Sequence, residues 1–441
     1  MIQISDHFTF KKLLQYTFPS IVMLVFTSIY TIVDGFFVSN FAGKAEFTAL
    51  NFIFPFISML GSIGFLFGTG GSALIAKTMG EGDHKKANQI FSLIVYVSVA
   101  VSVIVALCGI FTIRPLAAAL GASGQLLEDS VEYGSILLYA LPALILQYEF
   151  QIFFPTAGKP QLGLYSTLTA GITNMILDAL FVGILPWGLK GAAAATAVSQ
   201  CVGGVFPLIY FSRKNSSLLK LSGTHLNIQV LVQAATNGSS ELLSNISMSL
   251  VGMLYNVQLL KYAGENGVAA YGVLMYVNFV FSSIFIGYIV GCAPLFSYHL
   301  GAQNWKQLHN LLVKSLTIIS VFSLSMFGIA LFLARPLTSL FVGYDRDVLD
   351  LTVRGFYFFS FSFLFVGFAI FSSGFFTALN NGLVSAIISF LRTLVFQVMA
   401  VLLFPLLWQV DGIWLSAVGA EVMAVFVSVI FLIIKRKTYR Y

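Results

Sequence analysis

Apolar stretches about as long as a bilayer is thick alternate along the chain with short polar or Gly/Pro-rich breaks. A membrane-crossing helix needs roughly 20 predominantly apolar residues. Windows of that kind predict twelve helical spans, at about 14–40, 48–76, 88–112, 129–156, 161–184, 190–211, 238–260, 268–298, 310–334, 350–378, 384–407 and 412–434. An even number of spans puts both termini on one side of the membrane.

Composition agrees with this reading and excludes a soluble fold. Of the 441 residues 58% are hydrophobic, 15% aromatic and 9% charged, and the mean hydropathy is +0.92. Soluble domains carry about 25% charged residues, so too little polar surface is left here to face water. The net charge of +6 is topological rather than a nucleic-acid signature. With the N-terminus inside, fifteen Lys and Arg fall in cytoplasmic segments and seven in outer ones, the bias that orients polytopic proteins. The chain is therefore expected to be a multi-pass protein of the inner or plasma membrane with both termini cytoplasmic. The polar start, Met1 to Lys12, runs into an apolar stretch that lacks a small-residue cleavage site, so no cleaved signal peptide is expected.

The chain repeats itself. Arg114-Pro115-Leu116 recurs as Arg335-Pro336-Leu337, a shift of 221 residues. The same shift carries Ala42-Gly43 onto Ala263-Gly264, Gly80 onto Gly301, Lys85 onto Lys306, Gly134 onto Gly355, Trp187 onto Trp408 and Gly191 onto Gly412. Six spans separate equivalent positions, so the copies share one orientation about an axis along the membrane normal. The predicted fold is an all-α membrane protein of twelve transmembrane helices in two parallel-repeat six-helix lobes (6+6) around a central cavity. The lobes span 1–222 and 223–441, and the polar stretch Ser212 to Gln233 links them. Two such lobes can rock about a cavity and give alternating access, for which a passive channel has no need.

An ionisable side chain at the centre of a span costs about 2.5 to 3.5 kcal/mol or more, which makes each one a functional candidate. Asp34 lies in span 1, Glu132 and Glu149 in span 4, Asp178 in span 5, Glu241 in span 7, Arg392 in span 11 and Glu421 in span 12. At about 1.5 Å of rise per residue, Asp34, Asp178 and Thr196 each sit roughly 9 Å from the outer end of their spans. Asn174 is one turn from Asp178 on the same face, and Tyr133 begins span 4 at a similar level. Two neighbouring carboxylates split their titrations, so the pair can take up and release a proton. Asn174, Thr196 and Tyr133 can supply oxygens to a cation or donors to the carboxylates. The alternative is that each Asp bonds only to local donors in a wet crevice. Pro19 removes one backbone hydrogen bond from span 1 and permits a bend there.

The remaining charges have milder readings. Glu149 and Glu241 fall nearer the cytoplasmic ends, where snorkelling or water contact makes a charge cheap. Glu241, after Asn237-Gly238-Ser239-Ser240, reads as a helix-start residue favoured by the helix dipole. Arg392 can snorkel or pair with another helix. Glu421, the repeat equivalent of Gln200, can bind a cationic substrate or a neighbouring helix. All four stand as candidates for a substrate path.

No catalytic apparatus or cofactor is expected. Cys108, Cys201 and Cys292 occur singly inside apolar segments, without metal-ligand spacing. Gly68-Thr69-Gly70-Gly71-Ser72 lacks the Gly-Lys-Ser/Thr ending of a P-loop; its small residues suit close helix packing. Without a nucleotide site, an ion gradient or a partner must supply the energy. The 44 Phe and 18 Tyr include rings that could line a cavity for flat lipophilic cations.

Ile32-Val33-Asp34-Gly35-Phe36-Phe37-Val38, Gly80-Glu81-Gly82-Asp83 and Thr156-Ala157-Gly158-Lys159-Pro160 stand at the ends of spans 1, 2 and 4. With the twelve spans and the 6+6 repeat, the chain resembles bacterial members of the multidrug and toxic compound extrusion (MATE) family across nearly its full length. In the DinF-like branch, the resemblance implies a cation site in the N-terminal lobe, onto which Asp34, Asn174, Asp178 and Thr196 map, with Pro19 as the bending proline of helix 1. The sequence departs from the other pattern of that family, in which carboxylates midway along helices 7 and 10 bind sodium: span 10 has no acid from Leu351 to Ala378, and Glu241 stands too early in span 7. The coupling ion is left as H+ or Na+, with Na+ allowed at Asp34 and Asp178 and no other metal implied. The implied activity is antiport, by a monomer in membrane lipid, of cationic or amphipathic drug-like molecules against that ion. The alternative is a lipid-linked saccharide flippase of the same superfamily, which would need basic residues facing the cavity.

Overall fold

The structure, a computed structural model, describes residues 2–343 and 346–441, and among them all regular structure is helical. Helix α1 (Phe10–Phe37) runs unbroken through Pro19 and ends in a π-helical turn, Val38–Ala42. Then follow α2 (Lys44–Gly80), α3 (His84–Ala119), α4 (Gly124–Thr156), α5 (Pro160–Asp178, continued by a π-helical stretch Ala179–Ile184) and α6 (Gly188–Ser212). The helical segment Ile228–Gly301 is broken at Gly264 into α7 (228–263) and α8 (265–301). Helix α9 is Trp305–Val342, and α10 is a broken span, Arg346–Ser360 and Phe363–Ala378, bent by 50°. Helix α11 (382–408) contains a π-helical turn, Leu391–Val395, and a break at Gln409 separates it from α12 (410–439). The twelve spans match the hydrophobic windows in number and order.

The flanks of the helices show why the chain turns where it does. Thr9, Asp83, Asn227, Asn304 and Asn381 each accept a backbone N–H of the first turn at the starts of α1, α3, α7, α9 and α11. All five caps lie at the end of the bundle that carries both termini. Side-chain oxygens there satisfy the orphan N–H groups of a helix start. Asp83 and Asn304 are repeat equivalents, so the cap was duplicated with the helix. Backbone geometry repeats too: Gly43 and Gly264, Gly82 and Gln303, and Gly188 and Gln409 all have φ between +50° and +131°. In the second copy two glutamines, Gln303 and Gln409, hold a positive φ, a conformation that costs a residue with a Cβ roughly 1 kcal/mol or more. Apolar side chains such as Phe111 and Phe332, both at least 80% exposed, cover the outside of the bundle, as a lipid-facing surface requires.

The lobes meet at the termini end through helix backbones. A Cβ on Gly80 would stand 2.0 Å from the Tyr298 carbonyl oxygen, and one on Gly301 would stand 2.0 Å from that of Lys77. These contacts are images of each other under the 221-residue shift, so α2 and α8 cross on the pseudo-two-fold axis. The flanking contacts are paired in the same way. Gly70 abuts Ala234 and Gly238 of α7, while Gly291 abuts Thr17 of α1. At the far end Gly252 of α7 and Gly272 of α8 have no neighbour within 4 Å of such a Cβ. The N-terminal segment adds a strap across the junction: the Phe8 carbonyl accepts from Asn310 Nδ2 (3.0 Å) and Lys314 Nζ (2.7 Å) of α9.

The start of α7 corrects one sequence expectation. The cap is Asn227 and the helix begins at Ile228, so Glu241 is thirteen residues inside the helix rather than at its start. Asn237-Gly238-Ser239-Ser240 is not a break but a small-residue face: a Cβ on Gly238 would come within 1.8 Å of the Leu66 carbonyl. Small polar residues here permit close packing and do not end the helix.

Gly80→Val and Gly301→Val should each wedge the termini end open to a similar degree. Maleimide labelling of a Thr17→Cys probe, at a fully buried position, should speed up by about tenfold or more in either variant as the closed population falls; unchanged protection would show that this contact does not hold the lobes together.

Candidate functional site

The N-terminal lobe gathers its predicted polar residues into one interior site. Asp34, four residues before the π-helical turn of α1, and Asp178, immediately before that of α5, bring their carboxyls close enough to hydrogen-bond once one carries a proton. Asp178 is fully buried, and neither of its oxygens has a hydrogen-bond partner; Asp34 Oδ1 is in the same condition. Neither carboxyl is in a salt bridge among the described residues. One turn along α5, Asn174 Nδ2 donates to Thr196 Oγ1 of α6 at 3.5 Å, and the buried Tyr133 hydroxyl of α4 stands beside Thr196, within the field of both aspartates. The five residues therefore share one place, on α1, α4, α5 and α6.

Two buried carboxylates side by side repel strongly in a medium of low dielectric, and each orphaned oxygen is a lone pair without a donor. A proton or a small monovalent cation between them removes both penalties, and Asn174, Thr196 and Tyr133 offer further oxygens. The sequence reading missed Tyr30, one turn before Asp34, whose hydroxyl lies near Asp34 and beside the Gln147 amide of α4. The i, i+4 spacing from Asp34 was the available signal.

Glu149 behaves differently from expectation. It neither snorkels nor meets water: it is fully buried in α4, its Oε1 accepts from the Ser98 hydroxyl of α3, and its Oε2 has no partner. The helix packs too tightly for escape, since the Glu149 backbone lies against Gly68 of α2. Glu132 pairs with Lys190 at 2.7 Å in an exposed bridge.

The C-terminal lobe carries a second charged cluster. Arg392, inside the π-helical turn of α11, donates through Nε to both oxygens of Glu421 on α12, at 3.0 and 2.9 Å. The side chains are 17% and 7% exposed, so this pair is nearly interior. Glu241 of α7 lies within the field of Arg392 but beyond 4.0 Å of it. Tyr255, the repeat equivalent of Asp34, donates to Gln397 Oε1 at 2.8 Å and stacks on Tyr271, with ring centroids 5.1 Å apart. Each of the three π-helical stretches thus borders or contains an interior charge, as such bulges often do at functional sites.

Twelve spans in two equivalent lobes, closed on each other at one end and carrying ionisable groups inside, define a polytopic membrane transporter. The family model described as MatE matches residues 19–180 and 242–403, once in each lobe. The chain belongs to the multidrug and toxic compound extrusion (MATE) family. It is 27% identical over 318 residues to the multidrug export protein MepA of Staphylococcus saprophyticus, covering 72% of this chain and 70% of that one. Its fold superposes on a solved MATE in the straight conformation with a TM-score of 0.93 (20% identity, 98% of both chains). Against a MATE in the bent conformation the score is 0.88, at 20% identity over 99% of this chain and 98% of that one.

Ser98→Ala should destabilise the protein by about 1–3 kcal/mol, because it removes the described donor of a fully buried carboxyl. Glu149→Gln, which keeps an acceptor for Ser98 without a charge to desolvate, should be at least as stable as wild type. Thermal unfolding of the detergent-purified variants gives the comparison; an equal loss in both would place the contribution of Glu149 elsewhere.

Proposed function

We propose that the protein is a secondary active exporter that drives cationic or amphipathic organic compounds out of the cell in exchange for a monovalent cation bound at Asp34 and Asp178. The observation that carries this reading is the face-to-face pair of unpartnered interior carboxyls, a site that calls for an exchangeable positive charge. The MepA relatives, described as multidrug export proteins, support the class of cargo. The Lys/Arg bias supports cytoplasmic termini, and on that orientation the glycine-lined junction closes the cytoplasmic side.

In this cycle H+ or Na+ enters from outside and sits between Asp34 and Asp178, where it relieves their repulsion. Asn174 and Thr196 complete its oxygen shell, and Tyr133 closes the site from α4. Neutralising the pair lets α1 and α5 approach, and the π-helical turns next to both aspartates give their helices a place to adjust. Pro19, which leaves one α1 carbonyl without its helical donor, provides a second point of adjustment. Loss of outward space expels the organic molecule, and ion release inward resets the lobe. A lipid-linked saccharide carries phosphates and calls for a cluster of basic residues facing the cavity, whereas apart from Arg392 nearly all Lys and Arg of this chain fall between or near the ends of the spans.

Asp34→Asn and Asp178→Asn should each abolish gradient-driven efflux of ethidium while leaving expression and insertion unchanged. Proteoliposomes with an imposed proton gradient or an imposed sodium gradient would identify the ion. Wild-type efflux by either variant at equal expression would remove Asp34 and Asp178 from the coupling role.

A further inference from the structure

The charged cluster of the C-terminal lobe sits on α7, α11 and α12, the repeat equivalents of α1, α5 and α6 that build the N-terminal site. Its chemistry is different. The N-terminal site has two carboxyls and no ion pair; here a guanidinium is bonded to one carboxyl and lies within the field of a second. Glu421 holds that guanidinium through Nε alone. The two terminal nitrogens of Arg392 make no hydrogen bond or ion pair among the described residues, although the side chain is only 17% exposed. Those nitrogens are not sealed off, so strong donors are left open to a ligand, and the planar edge suits a carboxylate or another planar anion.

Glu241 presents the opposite need. Its carboxyl takes part in no hydrogen bond or salt bridge among the described residues, and it stands beyond 4.0 Å of Arg392. The pair is near enough to feel each other's charge yet too far apart to satisfy it. The donor edge of Arg392 and the acceptor oxygens of Glu241 are thus each left without a protein partner among the described residues. Behind Glu421 the stacked Tyr255 and Tyr271, pinned by the bond to Gln397, make a rigid aromatic wall.

We propose that Arg392, Glu241 and Glu421 form a second ligand site, in the C-terminal lobe, for amphipathic molecules that carry an anionic and a cationic group together. The anion takes the free edge of the Arg392 guanidinium and the cation takes Glu241, while Glu421 keeps Arg392 in place. The two lobes then divide the work: the N-terminal lobe binds a bare cation, and the C-terminal lobe selects cargo by its pattern of two charges. This assignment rests on the reading of the chain as an exporter of organic compounds.

The test uses the full-length protein purified in detergent, without a gradient, so that it does not depend on ion coupling. The probes are rhodamine B, a zwitterion at neutral pH, and its ethyl ester, which keeps the cation and lacks the carboxylate. Binding is read by fluorescence anisotropy. Arg392→Gln should weaken rhodamine B about tenfold or more, the loss of one charge-assisted contact, and change the ester by less than about twofold. Arg392→Lys, which keeps the charge but loses the planar edge, should fall between. Glu241→Gln should weaken both dyes, and it decides the matter if Arg392→Gln fails to fold. Equal effects of Arg392→Gln on the two dyes, or wild-type binding of both by Glu241→Gln, would overturn the site. Wild-type protein that binds neither dye would overturn the exporter reading together with it.

Discussion

The contact on which the rest of the architecture depends is the crossing of α2 and α8 at Gly80 and Gly301. Any side chain at either position would overlap a carbonyl oxygen of the facing helix, so the two backbones meet directly. Lipid tails are as apolar as leucine, and association within a bilayer relies on such close packing rather than on hydrophobic burial. Because the two glycines are images of each other, one duplicated residue makes both halves of the contact. The flanking pairs, Gly70 with Gly238 and Gly291 with Thr17, extend it along the same axis. Every one of these contacts lies at the termini end. The lobes are thus held as a pair of jaws, joined at one end and without such contacts at Gly252 and Gly272 toward the other.

That symmetry makes the inequality of the lobes informative. Equivalent helices converge on equivalent interiors, yet one holds Asp34 and Asp178 and the other holds Tyr255, Arg392 and Glu421. A duplicated backbone imposes geometry without imposing chemistry. The N-terminal interior holds two neighbouring carboxyls with no fixed cation paired to them among the described residues. In the C-terminal interior the balancing charge is built in as Arg392. That difference is why the proposed exchange of ions is assigned to the N-terminal lobe.

Much of this was legible in the chain. The twelve hydrophobic windows, the 221-residue shift and the depth of Asp34, Asn174, Asp178, Thr196 and Tyr133 follow from the length of an apolar stretch and the rise of a helix. Both are local quantities. The reading erred where local chemistry and packing compete. Asn237-Gly238-Ser239-Ser240 has the composition of a break, yet it is a helix face that lets α7 lie against α2. Glu149 stands near a helix end in sequence but is sealed by α2 and α3, which no count along α4 reveals.

The sequence by itself determined the solvent, the number and order of the spans and which residues could be charged inside a membrane, because each depends on the polarity and spacing of neighbours along one helix. Tertiary structure alone decided which of those charges meet. The proximity of Asp34 and Asp178, the pairing of Arg392 with Glu421 rather than with Glu241, and the crossing of α2 and α8 at Gly80 and Gly301 all depend on helix rotation and crossing. Those are set by packing between segments more than two hundred residues apart, where one residue's bulk, or its absence, fixes how closely two backbones approach.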